Sequence, residues 1–366
     1  MKKILSLITL LAALTLNARD YTVYVGTYTG PNASQGIYKF GFDPDSGEVT
    51  SPVELAAEIA SPSFVAIHPN GRLLYAVNEA GKGAVTAFSI DPKTKKLTKI
   101  NEQPSIGDGP CHINVDPKGT HVVIANYGGG SVAVLPINKD GSLKPASSFI
   151  QHKGSSANQS RQKEPHGHSV NFDKSGKYVF AADLGLDKVI IYSYDAKEGK
   201  LTEAGRGELK PGSGPRHLAV AKDNKRVYVI NEINSTVTGF NYDGKTTLTE
   251  FQTISTVPQT TPGNSTAEIV IHPSGKFVYG SNRGHNSIAV FSVDKKSGEL
   301  TRVQNANIEG KIPRNFVVDP TGKFLLAAGQ DSNTIAIFSI DQSSGKLTYT
   351  GKSLQAFKPV CLRFLK

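Results

Sequence analysis

Five titratable or charged side chains could together open a small anionic ester or lactone. They are His168, Arg216, Glu232, Arg283 and Arg314. An imidazole or a carboxylate can activate a water molecule as a general base, and guanidinium groups can hold a substrate anion and the oxyanion that develops during attack. This chemistry requires side chains that are far apart in the sequence to converge in space. The elements that would bring them together follow from a repeat in the chain.

The sequence repeats two signatures along its length. One joins two apolar stretches through a short Pro/Gly turn, as in VAIHPNGRLLYAV from Val65 and IVIHPSGKFVYG from Ile269. The other ends an alternating strand in a polar turn, as in IDPKTKKLT from Ile90 and IDQSSGKLT from Ile340, and it occurs seven times. These hairpins and strands predict units of four antiparallel strands, the content of one propeller blade. The expected fold is therefore all-β, a seven-bladed β-propeller.

The count of seven blades requires a circular closure. The first unit begins at YTVYVGTYTG, from Tyr21, which matches the second strand of the other units. The chain ends in KPVCLRFLK, from Lys358, which matches a first strand that has no successor. We therefore expect the C-terminal strand to join the N-terminal blade as its innermost strand and to remove a free sheet edge. Residues 19–366 would then form a single propeller domain.

Alignment of the units places the candidate residues in two rings, one just before strand one of each blade and one just after strand two. The first ring contains Ser63, Cys111, His168, Arg216, Ala267, Arg314 and Val360, and the second contains Tyr28, Glu79, Tyr127, Leu184, Glu232, Arg283 and Gln330. Because strands one and two are antiparallel, both rings should line the same mouth of the central channel. The polar members of the two rings concentrate in blades four to seven. We predict as catalytic residues His168, Glu232, Arg216 and Arg283, and as substrate-binding residues Arg314, His166, Glu79 and Gln330.

Two long inter-blade segments, residues 151–164 and 256–266, should enter at this mouth and could shape a pocket. The first leads directly into PHGHS, from Pro165, where His166 could contact the substrate or brace the loop. We slightly favour the bracing role for His166.

Three further candidates, His112, His217 and Glu268, follow the first ring by one position. The alternation of side chains along a strand predicts that they point away from the channel. No His, Cys, Asp or Glu set has the spacing of metal ligands, so neither a metal nor another cofactor is expected. Calcium held by backbone or Asn oxygens would leave no such signal.

The N-terminus has the features of a secretory signal peptide over residues 1–18. Lys2 and Lys3 precede an apolar stretch over residues 4–16, and Ala18 offers a small residue at a plausible cleavage point. We expect a periplasmic or secreted protein without stable membrane insertion after cleavage.

The formal net charge is +10, which suits an anionic substrate. There is no dense basic block and no interleaving of aromatic and basic residues, so nucleic acid is not an expected partner. The partner we expect is a small lactone, anionic in character. The two cysteines, Cys111 and Cys361, fall two blades apart in the alignment, so we expect no disulfide between them.

Five motifs, taken with the seven units, resemble the lactonase propeller family. They are YVGTYTG from Tyr24, PHGHS from Pro165, GPRHLAV from Gly214, YVINE from Tyr228 and SNRGHNSIAVF from Ser281. The usual members of that family are cycloisomerase-type 6-phosphogluconolactonases, and a related branch contains the fungal carboxymuconate lactonizing enzymes. The resemblance covers essentially the whole mature chain.

The resemblance implies a metal-independent reaction at the propeller mouth. The family's site residues match this chain at His168, Arg216 in GPRH, Glu232 in VINE and Arg283 in SNRG. The predicted function is therefore hydrolysis of a sugar lactone or phosphosugar lactone to the aldonic acid. Glu232 or His168 would be the general base, and the two arginines would hold the anionic substrate and the oxyanion.

A secreted location points away from a phosphorylated substrate, because phosphosugars are scarce outside the inner membrane. The sequence leaves two alternative functions open. One is a non-catalytic propeller used for binding or scaffolding in the envelope, since the fold alone does not determine function. The other is a cycloisomerase that closes a carboxylated diene to a lactone with the same cluster of residues.

Overall fold

The computed structural model describes residues 20–31 and 33–365, which form 28 strands in seven four-stranded antiparallel sheets. The sheets follow one another along the chain as the blades of a β-propeller, so the predicted fold is confirmed. None of the described residues belongs to a helix long and apolar enough to cross a membrane. The predicted signal peptide, residues 1–18, lies outside the described residues.

The strands of the first four blades have the following bounds. Blade one contains β1 (Tyr21–Thr27), β2 (Gly36–Phe42) and β3 (Val49–Glu58), and blade two contains β4 (Val65–Ile67), β5 (Leu73–Asn78), β6 (Ala84–Ile90) and β7 (Leu97–Pro104). Blade three contains β8 (Pro110–Val115), β9 (His121–Asn126), β10 (Ser131–Pro136) and β11 (Ser148–Gln151), and blade four contains β12 (Gly167–Phe172), β13 (Tyr178–Asp183), β14 (Lys188–Asp195) and β15 (Lys200–Glu208).

The remaining strands complete the ring. Blade five contains β16 (Pro215–Val220), β17 (Arg226–Asn231), β18 (Thr236–Tyr242) and β19 (Leu248–Ser255), and blade six contains β20 (Ser265–Ile271), β21 (Phe277–Arg283), β22 (Ser287–Val293) and β23 (Leu300–Asn307). Blade seven contains β24 (Pro313–Val318), β25 (Phe324–Gly329), β26 (Thr334–Ile340) and β27 (Leu347–Gln355), and the last strand is β28 (Pro359–Leu365).

The chain closes on itself through β28, which is the innermost strand of blade one in the order β28-β1-β2-β3. It pairs antiparallel with β1, and Cys361 lies opposite Gly26. It also contacts the innermost strands of both neighbouring blades, β24 and β4. The backbone N–H of Leu362 donates to Oδ1 of Asn315 in blade seven at 2.8 Å. The predicted closure by the C-terminal strand is thus confirmed.

The blades pack face to face, so their central strands are buried on both sides. In β21, Tyr279 packs towards blade seven while its neighbour Val278 packs towards blade five, as strand alternation requires. Tyrosines on second strands also join consecutive blades. Their hydroxyls donate to carbonyl oxygens in turns of the next blade, at distances of 2.7–3.0 Å. These tyrosines are Tyr24, Tyr75, Tyr228 and Tyr279. A buried hydroxyl that finds a partner in this way avoids the cost of an unmade hydrogen bond.

A β-bulge interrupts the innermost strand of most blades at the first-ring position. In blade five, for example, Pro215 lies opposite Asn231 and His217 lies opposite Ile230, which leaves Arg216 as the extra residue. Equivalent register shifts occur at Cys111, His168 and Arg314. A bulge places two residues of one strand opposite a single residue of its partner, so the strict alternation of side chains fails there.

The bulges explain why one expectation is wrong. His112 and His217 do not point away from the channel but meet inside it, with ring centroids 5.2 Å apart. Phe64 of blade two lies 4.1 Å from the ring of His112 and 5.7 Å from that of His217 in blade five. Blades two and five are not neighbours, so the contact between Phe64 and His217 crosses the channel. We call Phe64, His112 and His217 the aromatic plug.

Candidate active site

A cavity of about 360 Å³ opens at the mouth towards which both rings point. Its lining contains Glu79, Cys111, Tyr127, Arg161, His168, Glu232, Ser265, Arg283 and Arg314. Arg216 and Tyr28 border a narrower recess that shares several of these side chains. The structure therefore brings together six of the eight predicted site residues at one mouth. His166 and Gln330 do not line the cavity.

Glu232, which follows β17, is the centre of a guanidinium cluster. Its Oε2 accepts from Nε of Arg216 at 2.9 Å and lies 2.7 Å from NH2 of Arg283. Its Oε1 accepts from NH2 of Arg161 at 2.6 Å. Only 7% of the Glu232 side chain is exposed. Both carboxylate oxygens are thus engaged by charge-assisted hydrogen bonds, which are the strong ones.

These contacts determine the ionisation of Glu232. Burial alone would raise its pKa, but the charges of Arg283 and Arg216 and the hydrogen bond from Arg161 outweigh burial and hold the pKa far below its usual range. A carboxylate with so low a pKa, and with both oxygens occupied, is a weak proton acceptor. The geometry therefore favours a role in holding the arginines over the predicted role as a base.

His168, the bulge residue of β12, is buried against the floor of the cavity. Burial, together with the charge of Arg216, lowers its pKa well below the usual range, so the imidazole is neutral at pH 7. Its Nδ1 lies 3.7 Å from Sγ of Cys111. Burial strongly raises the pKa of the Cys111 thiol, which keeps it protonated. Of the two predicted bases, His168 is the one that forms no ion pair, and one nitrogen of its neutral ring carries no proton and can accept one.

A second polar chain crosses the opposite side of the mouth. The hydroxyl of Tyr28 donates to Oε2 of Glu79 at 3.0 Å and accepts from NH2 of Arg314 at 2.9 Å. The guanidinium of Arg314 also lies over the Tyr28 ring, 5.3 Å from its centroid. Burial raises the pKa of Tyr28 to about 12, so the phenol remains a donor to Glu79 at neutral pH.

Arg283 has a donor that no protein group uses. Its NH2 donates to the carbonyl of Thr266 at 2.6 Å and contacts Glu232. Its Nε is buried and has no hydrogen-bond partner among the described residues. Buried donors without partners are rare in folded proteins and call for an explanation.

Arg161 is a site residue that sequence reasoning missed. It lies in the long segment 151–164, donates from NH2 to the hydroxyl of Tyr127 at 3.1 Å, and is 41% exposed at the rim. The segment is anchored by buried groups: Nδ1 of His152 lies 2.6 Å from Oδ2 of Asp183. Gln162, next to Arg161, donates to the carbonyl of Leu184 at 2.8 Å.

His166 and Gln330 have other surroundings. Nδ1 of His166 lies 2.9 Å from the carbonyl oxygen of Tyr127, and the two rings stack at 4.5 Å. The backbone N–H of His166 donates to Asp183. These contacts hold the loop before blade four in place, which agrees with the bracing role that we favour for His166. Gln330 donates from Nε2 to Asp331 at 3.1 Å, and its Oε1 is buried without a partner among the described residues.

A buried hydrogen-bonded chain supports Arg216 from below. NH1 of Arg216 lies 3.3 Å from Nε2 of His217, and Nδ1 of His217 lies 2.9 Å from Oε1 of Glu268. An arginine can only donate hydrogen bonds, so Nε2 of His217 must accept from Arg216. The ring proton of His217 is therefore on Nδ1, which faces the carboxylate of Glu268. The other oxygen of Glu268 accepts from Asn315. Glu268 therefore lies between blades five and seven inside the channel, contrary to expectation.

The charges around the mouth do not cancel. Four guanidiniums, those of Arg161, Arg216, Arg283 and Arg314, border the cavity and its recess, against the two carboxylates of Glu79 and Glu232. A cavity with an excess of two positive charges attracts an anionic ligand.

Within residues 20–31 and 33–365, no three His, Cys, Asp or Glu side chains are grouped as metal ligands. Cys111 and Cys361 are both buried free thiols, as expected.

A closed propeller with a polar cavity at its mouth, lined by arginines and a neutral imidazole, is the arrangement of a propeller enzyme that acts on a small molecule. Comparison with known proteins makes this more specific. The family model for "Lactonase, 7-bladed beta-propeller" matches residues 22–364. The chain belongs to this family of lactone hydrolases.

Three relatives illustrate the similarity. A 6-phosphogluconolactonase of Bacillus subtilis is 40% identical over 299 residues, which cover 81% of this chain and 84% of the relative. A crystal structure from Bacteroides fragilis has a TM-score of 0.89 at 40% identity and covers 97% of this chain and 100% of that one. The structure of a periplasmic gluconolactonase of Pseudomonas aeruginosa has a TM-score of 0.88 at 34% identity, covering 95% and 99%.

Proposed function

We propose that this protein hydrolyses a sugar lactone that carries an anionic group, at the cavity that contains His168, Glu232 and Arg283. The observation that carries the proposal is the excess of positive charge around a neutral imidazole, in a chain that belongs to the lactonase family. Relatives named 6-phosphogluconolactonase support a sugar lactone as the substrate class. The product would be the corresponding aldonic acid.

In the proposed reaction, His168 is the general base. A water molecule attacks the lactone carbonyl carbon and gives a proton to His168, and a tetrahedral oxyanion forms. When this intermediate collapses, the acyl carbon–ring oxygen bond breaks. The ring oxygen takes up the proton as a hydroxyl, and the acyl group becomes the carboxylic acid. His168 thus acts first as base and then as acid, the usual pattern for a histidine in acyl transfer.

The arginines have separate parts in this proposal. Arg283, whose side chain lines the cavity beside Glu232, would stabilise the oxyanion by its positive charge. Arg216 would add positive charge beneath it, held in place by Glu232 and by the carbonyl of Ala267 at 2.9 Å. Donors that are fixed before the reaction stabilise developing charge without reorganisation.

Arg161 would bind the anionic group of the substrate. It is the most exposed of the three arginines that contact Glu232, at 41% against 12% for Arg283 and 3% for Arg216. Its hydrogen bonds to Tyr127 and Glu232 both come from NH2, so the rest of the guanidinium can bind a phosphate or carboxylate at the rim. Arg314, on the opposite side of the mouth and bonded to the hydroxyl of Tyr28, would be a second cation of the anion site.

We further propose a periplasmic or secreted location. The features of residues 1–18 support it, and a related structure is that of a periplasmic gluconolactonase. A lactone available in that compartment and bearing a carboxylate would satisfy both the location and the charge of the cavity. The proposed reaction uses no metal ion.

The test is hydrolysis by the purified mature protein of 6-phosphogluconolactone, glucono-1,5-lactone and a carboxylated aldarolactone, corrected for spontaneous opening. Each assay is run with and without a chelator. We expect chelator-insensitive hydrolysis that falls about 10²–10⁴-fold in His168→Gln, as for loss of a general base. The matched control is Arg206→Gln, a residue of β15 that is 53% exposed. No activity on any lactone, or unchanged activity in His168→Gln, would refute the proposal.

A further inference from the structure

A second chamber, of about 280 Å³, lies in the central channel on the far side from the active-site cavity. Its lining contains Phe64, Ala66, Ile67, His112, Ile113, Asn114, Asn171, Arg363 and Phe364. Four of these residues, Ala66, Asn114, Asn171 and Arg363, follow members of the first ring by three positions on the innermost strands. They form a third ring at the opposite end of the channel. We call this space the lower chamber.

The aromatic plug separates the lower chamber from the active site. Phe64 and His112 belong to the lining of the lower chamber, whereas Phe64 and His217 border the recess beneath the active-site cavity. Burial lowers the pKa of His112 well below its usual range, so the plug is uncharged on this side. A ligand in the lower chamber would therefore not be the substrate at the catalytic residues.

Arg363 brings a positive charge into this chamber, and no carboxylate of the described residues forms an ion pair with it. Its guanidinium carbon lies 4.5 Å from the centroid of the Phe64 ring, and NH1 donates to the carbonyl of Leu362 at 2.7 Å. Across residues 20–31 and 33–365, no carboxylate lies within ion-pair distance of it. Glu268, which lies deeper in the channel, is already bonded to His217 and Asn315. Partly buried charges are usually paired.

A second unpaired donor belongs to a residue that lines the same chamber. Nδ2 of Asn171 is buried and has no hydrogen-bond partner among the described residues. Asn114 of the neighbouring blade offers another side-chain amide to the lining. A water molecule could satisfy an amide, but it could not balance the guanidinium charge. The chamber thus combines one cation and neutral hydrogen-bond donors, the set that recognises an oxyanion.

We propose that the lower chamber binds a small oxyanion, a carboxylate or a phosphate, held by the guanidinium of Arg363 and the Nδ2 amide of Asn171. The planar face of the guanidinium lies on Phe64, which leaves its N–H edge for a bidentate contact. This site is separate from the proposed catalytic cavity and does not depend on the proposed reaction.

Binding at this site would stabilise the closed ring. Arg363 belongs to β28, the closing strand, whereas Asn171 belongs to β12 of blade four. An anion held by both residues connects the seam between the chain ends with the opposite part of the channel. A ligand that binds only the folded state raises its stability by mass action.

The position of the ligand is tested by soaking crystals of the whole mature protein in selenate, an oxyanion that anomalous diffraction locates directly. We expect a selenium peak in the lower chamber within hydrogen-bonding distance of Arg363, and none there in Arg363→Gln. Asn171→Ala provides a second variant if Arg363→Gln does not fold, and its peak should be weakened. An empty lower chamber in the wild type, or an unchanged peak in the variants, would overturn the proposal.

Solution binding tests affinity and chemistry. In equilibrium dialysis with selenate, Arg363→Gln should lose the lower site, with affinity about 10- to 100-fold weaker, as for removal of a charged hydrogen bond. Arg206→Gln should bind as the wild type does. Displacement of selenate from the lower chamber by gluconate or by inorganic phosphate then identifies the preferred oxyanion. Failure of both to displace it would contradict the proposal, whatever the result of the hydrolysis assay.

Discussion

Replacement of Glu232 by alanine gives the sharpest test of the proposed active-site electrostatics. The carboxylate holds three guanidiniums at 2.6–2.9 Å, and its removal leaves a carboxylate-sized space between cations. The excess charge around the mouth rises from two to three. Arg216, which is only 3% exposed, then has no carboxylate partner within hydrogen-bonding distance. We expect the folded state to be destabilised chiefly by this uncompensated buried charge.

The size of the effect follows from burial. The Arg161 side chain is 41% exposed, so its contact with Glu232 contributes about 1 kcal/mol or less to the free energy of unfolding. Breaking the buried pairs with Arg216 and Arg283 costs about 3–5 kcal/mol. At about 2 cal/mol/K of unfolding entropy per residue, a domain of this length would lose about 4–7 °C in Tm.

The assay is differential scanning calorimetry of Glu232→Ala with formate or with chloride at equal ionic strength. Formate fits the vacated space and should recover part of the lost Tm, whereas chloride should not. Glu232→Gln keeps the side-chain volume, so it should also be destabilised but should not respond to formate. A Glu232→Ala protein that melts within about 1 °C of the wild type would refute the reasoning, since such a change corresponds to under about 1 kcal/mol.

The depressed pKa of Glu232 gives this effect a pH dependence. The ionised carboxylate stabilises the folded state fully above the unfolded-state pKa, about 4.3, and that stabilisation is lost as the pH falls below this value. The difference in Tm between wild type and Glu232→Gln should therefore be constant from pH 6 to 8 and should shrink in acid. A difference that instead grew in acid would show that the carboxylate is not held ionised by its arginine partners.

Three further predictions concern the base, the substrate anion and the closure. Because His168 is neutral and its pKa is lowered, kcat should stay level from pH 8 to 6.5; a fall centred near pH 6.5 would contradict this. Arg161→Gln should raise the KM for 6-phosphogluconolactone about tenfold, whereas the KM for glucono-1,5-lactone should change by less than about twofold. Equal changes in the two KM values would argue against anion recognition by Arg161. Deletion of residues 359–366 should abolish cooperative calorimetric unfolding, because β1 loses its partner; a normal transition would refute this.

The sequence was sufficient to predict the architecture because each blade repeats the same turn chemistry. The register of antiparallel strands then predicted which residues meet at the mouth, and Glu79, His168 and Glu232 do meet there. The unmatched strands at Tyr21 and Lys358 predicted the closure. Each of these inferences depends on local pattern and alternation, which a single sequence carries.

The parts that failed depend on geometry that alternation does not describe. The bulge at Arg216 turns His217 into the channel. A signal for such bulges is present: Gly214, before Pro215, has a φ of 66°, and Ile312, before Pro313, has a φ of 57°. A left-handed residue before a proline also precedes the bulges of blades three and one, at Gly109 and Lys358.

Arg161 was missed for a different reason. It lies in a segment that has no counterpart in the other blades, so alignment of the repeats could not assign it a position. Likewise, the choice between Glu232 and His168 as base could not be made from residue types. It depends on the 2.6–2.9 Å contacts that occupy both oxygens of the carboxylate.

The closure by β28 makes folding of the ring conditional on complete synthesis. Of the strands in the described part of the chain, β28 is the last to be synthesised and its partner β1 is the first. Until the C-terminus is available, β1 keeps an unpaired edge and blade one lacks its innermost strand. A chain that ends early retains this edge permanently, which invites aggregation. A chain that contains β28 can therefore close its ring, whereas a chain that terminates before β28 cannot, and this difference exists before any substrate is bound.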